Sequence, residues 1–270
     1  MIAQPKWFVA IVACLGLLIA GCGAHNSSSS SAGGSGPTGD PKDTLLAALK
    51  KMDGLDTYQA ELTMPKMDLG NGQQMTANTH MEASVKDNIE YLVTTINGGP
   101  TGPDKSETLM RGSEYLTRGG VAASAFGGSA DTWFRAPATG NNASMVLSMY
   151  FAPAAQAITT VSRQGTKNIG GTEVTVYRAD LDPAKFHEAL SAAKLPGGIS
   201  LDKLLAPSTI EYGVGADGYV HSIHFAEGSP LPPVDIELHD YNSQLHLPNP
   251  TDVKDMPNVP GEPALPGAPR

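Results

Sequence analysis

Cysteine is nearly absent from this chain: of 270 residues only Cys14 and Cys22 carry a thiol. A zinc-type cluster built on several cysteines at short spacings is therefore excluded. Positive charge is also scarce. Eighteen Lys and Arg face 27 Asp and Glu, for a net charge of −9, and no basic stripe runs along the sequence. That excludes nucleic acid as a partner, because phosphate binding needs such a stripe. Aromatics make up 6% of the chain. One long uncharged apolar run occurs, Trp7–Ile19, and it falls short of the about 20 residues that cross a bilayer. What the chain does have is 30 glycines and 21 prolines, many of them near the two ends, around a middle apolar enough to bury a core.

The N-terminus has the form of a secretory leader: Lys6 supplies one positive charge, the apolar run follows, and small residues come next. The segment Ile19-Ala20-Gly21-Cys22 resembles the bacterial lipobox, whose cysteine thiol receives a diacylglycerol before cleavage makes it the first residue. The spacing fits that chemistry, since the peptidase needs small side chains at the cut and the thiol must reach the membrane surface. The competing reading is an ordinary signal peptide, or a membrane anchor with a chance cysteine. On the lipobox reading, residues 1–21 are the signal peptide and Cys22 is the lipidation site. The product is anchored on the extracytoplasmic face of the cell membrane, where each buried methylene adds about 0.8 kcal/mol. Cys14 leaves with the leader, so no intrachain disulfide can form. Residues 22–40 then form a Ser/Gly-rich tether, 41–255 the folded domain, and 256–270, with its many prolines, an extended tail.

Within the domain the hydrophobic period changes repeatedly. Asp40-Pro41 reads as an N-cap and first helical residue, with Leu45, Leu46, Leu49 and Met52 at helical spacing and Gly54 as the stop. From Tyr58 the period becomes two: Tyr58, Ala60, Leu62 and Met64, then a long alternation Met75, Ala77, Thr79, Met81, Ala83 and Val85. Asn71-Gly72 and Asp87-Asn88 supply turns, Ile89–Ile96 continues the meander, and Thr108–Arg111 turns through Gly112-Ser113 into Glu114–Thr117. Asn141–Phe151 and Ala154–Val161 read as helix, broken at Pro153, with Met145 and Met149 on the apolar side. Val174–Leu181 is a strand. Asp182-Pro183 repeats the capping device ahead of a helix with Phe186, Leu190 and Ala193 in its core, and Ser200–Leu205 reads as a further helical turn. Thr209–Val214 and Tyr219–Phe225 form a hairpin across Asp217-Gly218, and Val234–Asp240 is the last strand. The fold class is α+β: a strongly curved antiparallel sheet, a half-barrel, packed around several helices, with a two-layer sandwich as the alternative.

The lipobox, tether, opening helix and long meander together resemble the actinobacterial lipoproteins of the LppX/LprG type, within the wider LolA-like group. The segment Gly171-Thr172-Glu173-Val174-Thr175-Val176-Tyr177 and the turn Ala216-Asp217-Gly218-Tyr219 add to the likeness, which covers roughly residues 42–250. The resemblance implies helices closing a half-barrel over an apolar cavity that holds acyl chains. It also implies a lipid or lipoglycan ligand, a role in carriage across the envelope with an export partner, and no cofactor. The proline-rich tail and the few aromatics depart from it. Candidate cavity-wall residues are Met64, Met75, Met81, Val93, Met110, Met145, Met149 and Phe186, since unbranched, polarizable methionine adapts to flexible chains. Each of these has an equally simple role as plain core.

Catalytic motifs are lacking. His221 and His224 lie three apart in a strand, on opposite faces, and read as surface histidines. No serine sits in a nucleophile elbow, and Gly98-Gly99 and Gly119-Gly120 read as loop glycines with no following helix, so a phosphate loop is not indicated. Three functions follow: a lipid carrier or transfer lipoprotein, an envelope interaction or sensor lipoprotein of the same fold without cargo, and, least supported, an enzyme, a hydrolase or metal-dependent protein, with His221, His239 and Asp240 converging.

Overall fold

The structure, a computed structural model, describes residues 39–68, 74–98, 103–112, 114–136, 150–192, 207–225 and 234–256. The expected devices start the helices. In α1 (Pro41–Met52) the Asp40 carboxylate accepts from the backbone N–H groups of Lys42 and Asp43 at 2.8 and 3.3 Å, and Leu45, Ala48, Leu49 and Met52 are buried. Asp182 caps α4 (Pro183–Ala192) in the same way, accepting from Ala184 and Lys185, and Phe186, Ala189 and Leu190 are buried. Between these helices lie α2 (Gly120–Phe126) and α3 (Ala152–Ala157).

The strands are β1 (Thr57–Asp68), β2 (Gln74–Ser84), β3 (Ile89–Asn97), β4 (Asp104–Arg111), β5 (Glu114–Gly119) and β6 (Trp133–Ala136), followed by β7 (Ile158–Ile169), β8 (Thr172–Leu181), β9 (Thr209–Gly215), β10 (Val220–Phe225), β11 (Asp235–His239) and β12 (Val253–Asp255). They form one sheet in the order β12-β6-β5-β4-β3-β2-β1-β11-β10-β9-β8-β7. Two meanders thus meet where β1 pairs with β11, and every pairing is antiparallel except that of β12 with β6. The sheet is curved and unclosed, with β12 and β7 at its edges. A single sheet rules out the sandwich alternative.

Register assigns the faces, because directly opposed residues in an antiparallel ladder share a side. One row runs Leu238, Ala60, Met81, Leu92, Thr108, Thr117 and Phe134 across β11 to β6. This is the side the helices cover. A row on the other side reads Glu237, Glu61, His80, Val93, Glu107 and Arg118. The alternation read in β2 is sound, since Ala77, Thr79, Met81 and Ala83 are all buried, but the strand stops at Ser84. Val85 lies in the following turn, 46% exposed.

Several expectations need correction. The helix expected over Ala154–Val161 ends at Ala157, and Ile158 opens a twelve-residue strand. Pro153 stands in the first turn of α3, where its missing N–H costs nothing. Residues 162–168 of β7 are exposed on both faces, so no apolar alternation marks that strand. Gly119-Gly120 does lead into a helix: Gly119 has φ of +136°, and a Cβ there would lie 2.4 Å from the Lys105 carbonyl oxygen, so only glycine fits where β5 turns into α2. Finally, β6 and β12 are too short to show a period. The expected Ser200–Leu205 turn, and Asn141–Met149 of the expected helix, lie outside the described residues.

Candidate functional site

The helix-side face divides into two halves. Beneath α1, α3 and α4, the strands β1 and β8 to β11 carry a core of Tyr58, Tyr177, Tyr212, Val214, Ile223, Phe225, Ile236 and Leu238, all buried. Rings fill the space: Tyr150 meets Phe225 edge-on at 4.8 Å and stacks on Phe186 at 6.5 Å. The Tyr212 hydroxyl donates to the Tyr150 carbonyl at 2.9 Å, which satisfies a phenol that is otherwise fully enclosed. This half is solid.

Along β3 to β5 the same face is different. Leu92, Thr94 and Ile96 on β3, Ser106 and Thr108 on β4, and Tyr115 on β5 are only half-buried. Of the described helices, α2 packs on β4 and β5 and brings Phe126 to 5.5 Å from Phe134. Thr79 and Thr94 pair their hydroxyls at 2.9 Å, so the polar groups beside this track are partly satisfied across strands. From Glu90 to Ile96 the β3 side of the track is about 20 Å long, at about 3.3 Å per residue.

One end of the track is a buried carboxyl. Glu90 is 1% exposed and lies in register between Ala83 on β2 and Met110 on β4. Neither of its side-chain oxygens has a hydrogen-bond partner among the described residues. Burial pushes its pKa up to about 8, with no cation among the described residues to oppose the shift. The Tyr58 hydroxyl is also raised, first by its own burial and then by the charge of Glu90.

Of the cavity-wall residues expected from sequence, Met81 is buried in the core beside Ala60, and Phe186 packs against Tyr150. Met64 and Met75 are half-buried on β1 and β2. Met110 is buried between Glu90 and Tyr115. Val93 is a correction: it faces away from the helices, among His80 and Glu107, because both parities of β3 are apolar and alternation could not choose between them. Cys22, Met145 and Met149 lie outside the described residues. Glu90 was not singled out from sequence. Its phase with Leu92 and Ile96 was the available signal, masked by Ile89, Tyr91 and Val93 in the opposite phase.

The opposite face is polar and paired. Glu107 accepts from the Tyr91 hydroxyl at 2.6 Å and from Arg118 at 2.7 Å, with the Lys105 ammonium at 3.3 Å. Burial opposes its charge, but the bonds from Tyr91, Arg118 and Lys105 outweigh that and hold the carboxyl below the usual range. A hollow of about 210 Å³ beside this group is lined by Lys105, Glu107, Arg118, Gly119, Ala130 and Asp131. Leu109, Leu116 and Trp133 form a second small core on this face. The chain after β11 crosses it as a strap, held by Arg111 on the Pro248 carbonyl at 2.7 Å and by the His246 N–H on Glu82, and ends as β12. His221 is a second correction. It stands at a bulge between Val220 and Ser222 and is buried, 3.0 Å from the Asp217 carboxylate and edge-on to Tyr241. His224 pairs with Asp235 and His239 with Asp240. Among the described residues, no three His, Cys, Asp or Glu side chains come together as a metal site.

No protein-family model and no curated protein matches the chain. Solved structures do. LprF from Mycobacterium bovis superposes with a TM-score of 0.50 at 12% identity, over 78% of this chain and 96% of that one. The lipoprotein LppX from Mycobacterium tuberculosis gives 0.45 at 12% identity, over 76% and 96%. A putative outer membrane lipoprotein-sorting domain from Vibrio parahaemolyticus gives 0.27 at 7% identity, over 76% and 95%. The chain is built on the fold of LprF, the LolA-like half-barrel that the resemblance implied.

Proposed function

We propose that this chain is a cell-envelope lipoprotein, held on the extracytoplasmic face of the membrane through Cys22, that binds an acyl lipid or lipoglycan and passes it to an export partner. It works by binding, with no reaction of its own. The observation that carries this reading is the unequal filling of one sheet face. A solid aromatic core supports the fold under α1, α3 and α4, while Leu92, Ile96 and Tyr115 on the same face stay half-buried beside it. An apolar, sparsely polar track of this kind suits a hydrocarbon chain. The shared fold with LprF and the lipobox at Cys22 support the same reading.

The test is direct. The full chain is purified from its native membrane, and a solvent extract is analysed by mass spectrometry. One acyl lipid per chain is expected, and Leu92→Trp, which fills the track, lowers that occupancy severalfold. A chain that is lipid-free on isolation and takes up no lipid from vesicles overturns the carrier reading. The cargo-free alternative, an interaction or sensor lipoprotein, has the solid half in its favour: Tyr177 and Tyr212 leave no room there.

A further inference from the structure

We propose that Glu90 is the polar anchor at the buried end of the track, presenting a protonated carboxyl to an uncharged oxygen, a hydroxyl or an ester carbonyl, on the bound lipid. The proposal rests on the carrier reading above and adds to it the chemical class of the ligand. A carboxyl enclosed among Ala83, Met110 and the neighbouring Tyr58, with both oxygens unpartnered, gives up its hydration with no return from the described residues. Such a group is costly to a fold that has no use for it, and simple to replace with Leu or Met. Its position on the helix side, in line with Leu92, Thr94 and Ile96, places it where a chain lying along β3 reaches its innermost point.

Charge decides which ligand oxygen suits it. The titratable side chains on the same face of the flanking strands are Tyr58 on β1 and Tyr115 on β5, two phenols that burial holds protonated, and Asp104 on β4, paired with Ile96 at the opposite end of the track. Among the described residues no positively charged partner acts on Glu90, and burial is what raises it. A phosphate or carboxylate head placed there would meet no cation, and would meet a group able to become an anion. A neutral hydroxyl or ester can accept the carboxyl proton, and a hydroxyl can also donate to its carbonyl oxygen. The lipid therefore lies with an oxygen-bearing part inward, and binding weakens as Glu90 ionises.

The experiment uses the full chain in detergent micelles, with native mass spectrometry at about pH 6 and about pH 9.5, either side of the Glu90 transition. The probes are dioleoylglycerol and squalene, a chain lipid with oxygens and one without. Wild type is expected to lose dioleoylglycerol affinity about tenfold between the two pH values, while squalene binding stays level. Glu90→Gln, which keeps a neutral donor and acceptor, makes dioleoylglycerol binding independent of pH. Glu90→Leu lowers the preference for dioleoylglycerol over squalene about fivefold at the lower pH. If Glu90→Leu keeps the wild-type preference, or Glu90→Gln shows the wild-type pH profile, the anchor role is overturned while the carrier reading stands. If wild type binds neither probe at either pH, the carrier reading fails and this inference falls with it.

Discussion

Glu90 also has a consequence for stability, because its proton is held more tightly in the folded chain than in the unfolded one. The folded carboxyl titrates at about 8 and the reference value is 4.5. Between these values the native state binds a proton that the unfolded state has released, so stability falls as pH rises through the window. Below the lower value the contribution is fully present, and above the upper one it is gone. Each unit is worth about 1.4 kcal/mol, so the loss amounts to several kcal/mol. Urea unfolding at a series of pH values should show this decline in the wild type and a much flatter profile in Glu90→Gln. An unchanged decline in the variant would place the titrating group elsewhere. A second residue-scale expectation concerns the caps. Asp182→Ala removes the acceptor for two orphan N–H groups of α4 and should cost about 1 kcal/mol in the same assay. Both caps were legible in the sequence because a carboxylate reaching two or three residues along is a local event. Glu90 was not, because its burial is decided by which strands flank it.

At the scale of elements, the strap and the edge strand are the parts that periodicity could not reveal. The strap has no repeat of its own. It acts by lying over Leu109, Leu116 and Trp133, with partial cover from Val253. Truncation after Asn242 should therefore uncover that cluster, shift the emission of Trp133 to the red and cost roughly 2–4 kcal/mol in unfolding free energy. Unchanged Trp133 emission would show that the strap contributes nothing to the small core. Strand β7 escapes notice for a related reason. As an edge it pairs only with β8, its residues 162–168 face water on both sides, and bulges interrupt its register near Thr160 and Gly165. Bulges and the cations Arg163 and Lys167 are the means by which exposed edges resist pairing with other chains. Nothing in a run such as ITTVSRQGTKNI alternates, so only the partner strand defines it. By contrast β2 and β11, each with one buried and one polar side, could be read residue by residue.

For the molecule as a whole, the two halves of the helix-side face predict unequal protection. Backbone amides of β1 and of β8 to β10 lie against the core under α1, α3 and α4, and should exchange with solvent only through global opening. Amides of β3 to β5, whose inward side chains are half-buried, should exchange orders of magnitude faster in the lipid-free chain and slow when a lipid is bound. Hydrogen exchange followed by mass spectrometry checks this, and equal protection across the sheet would contradict a division into scaffold and binding track. The general architecture followed from the sequence, since long alternating strands with one apolar side require helices as cover. Which of the candidate wall residues face the track did not follow. Met81 and Phe186 became core and Val93 turned to the other face, since a strand apolar in both phases carries no mark of its inner side.

Capping residues, turn glycines and the alternation of β2 act over a few neighbouring positions, so chain order alone is enough to specify them. The meeting of β1 with β11, the burial of His221, the enclosure of Glu90 and the course of the strap all depend on segments far apart in the chain. Burial is a property of what packs on a residue, and for these groups the packing partners are supplied by the folded sheet.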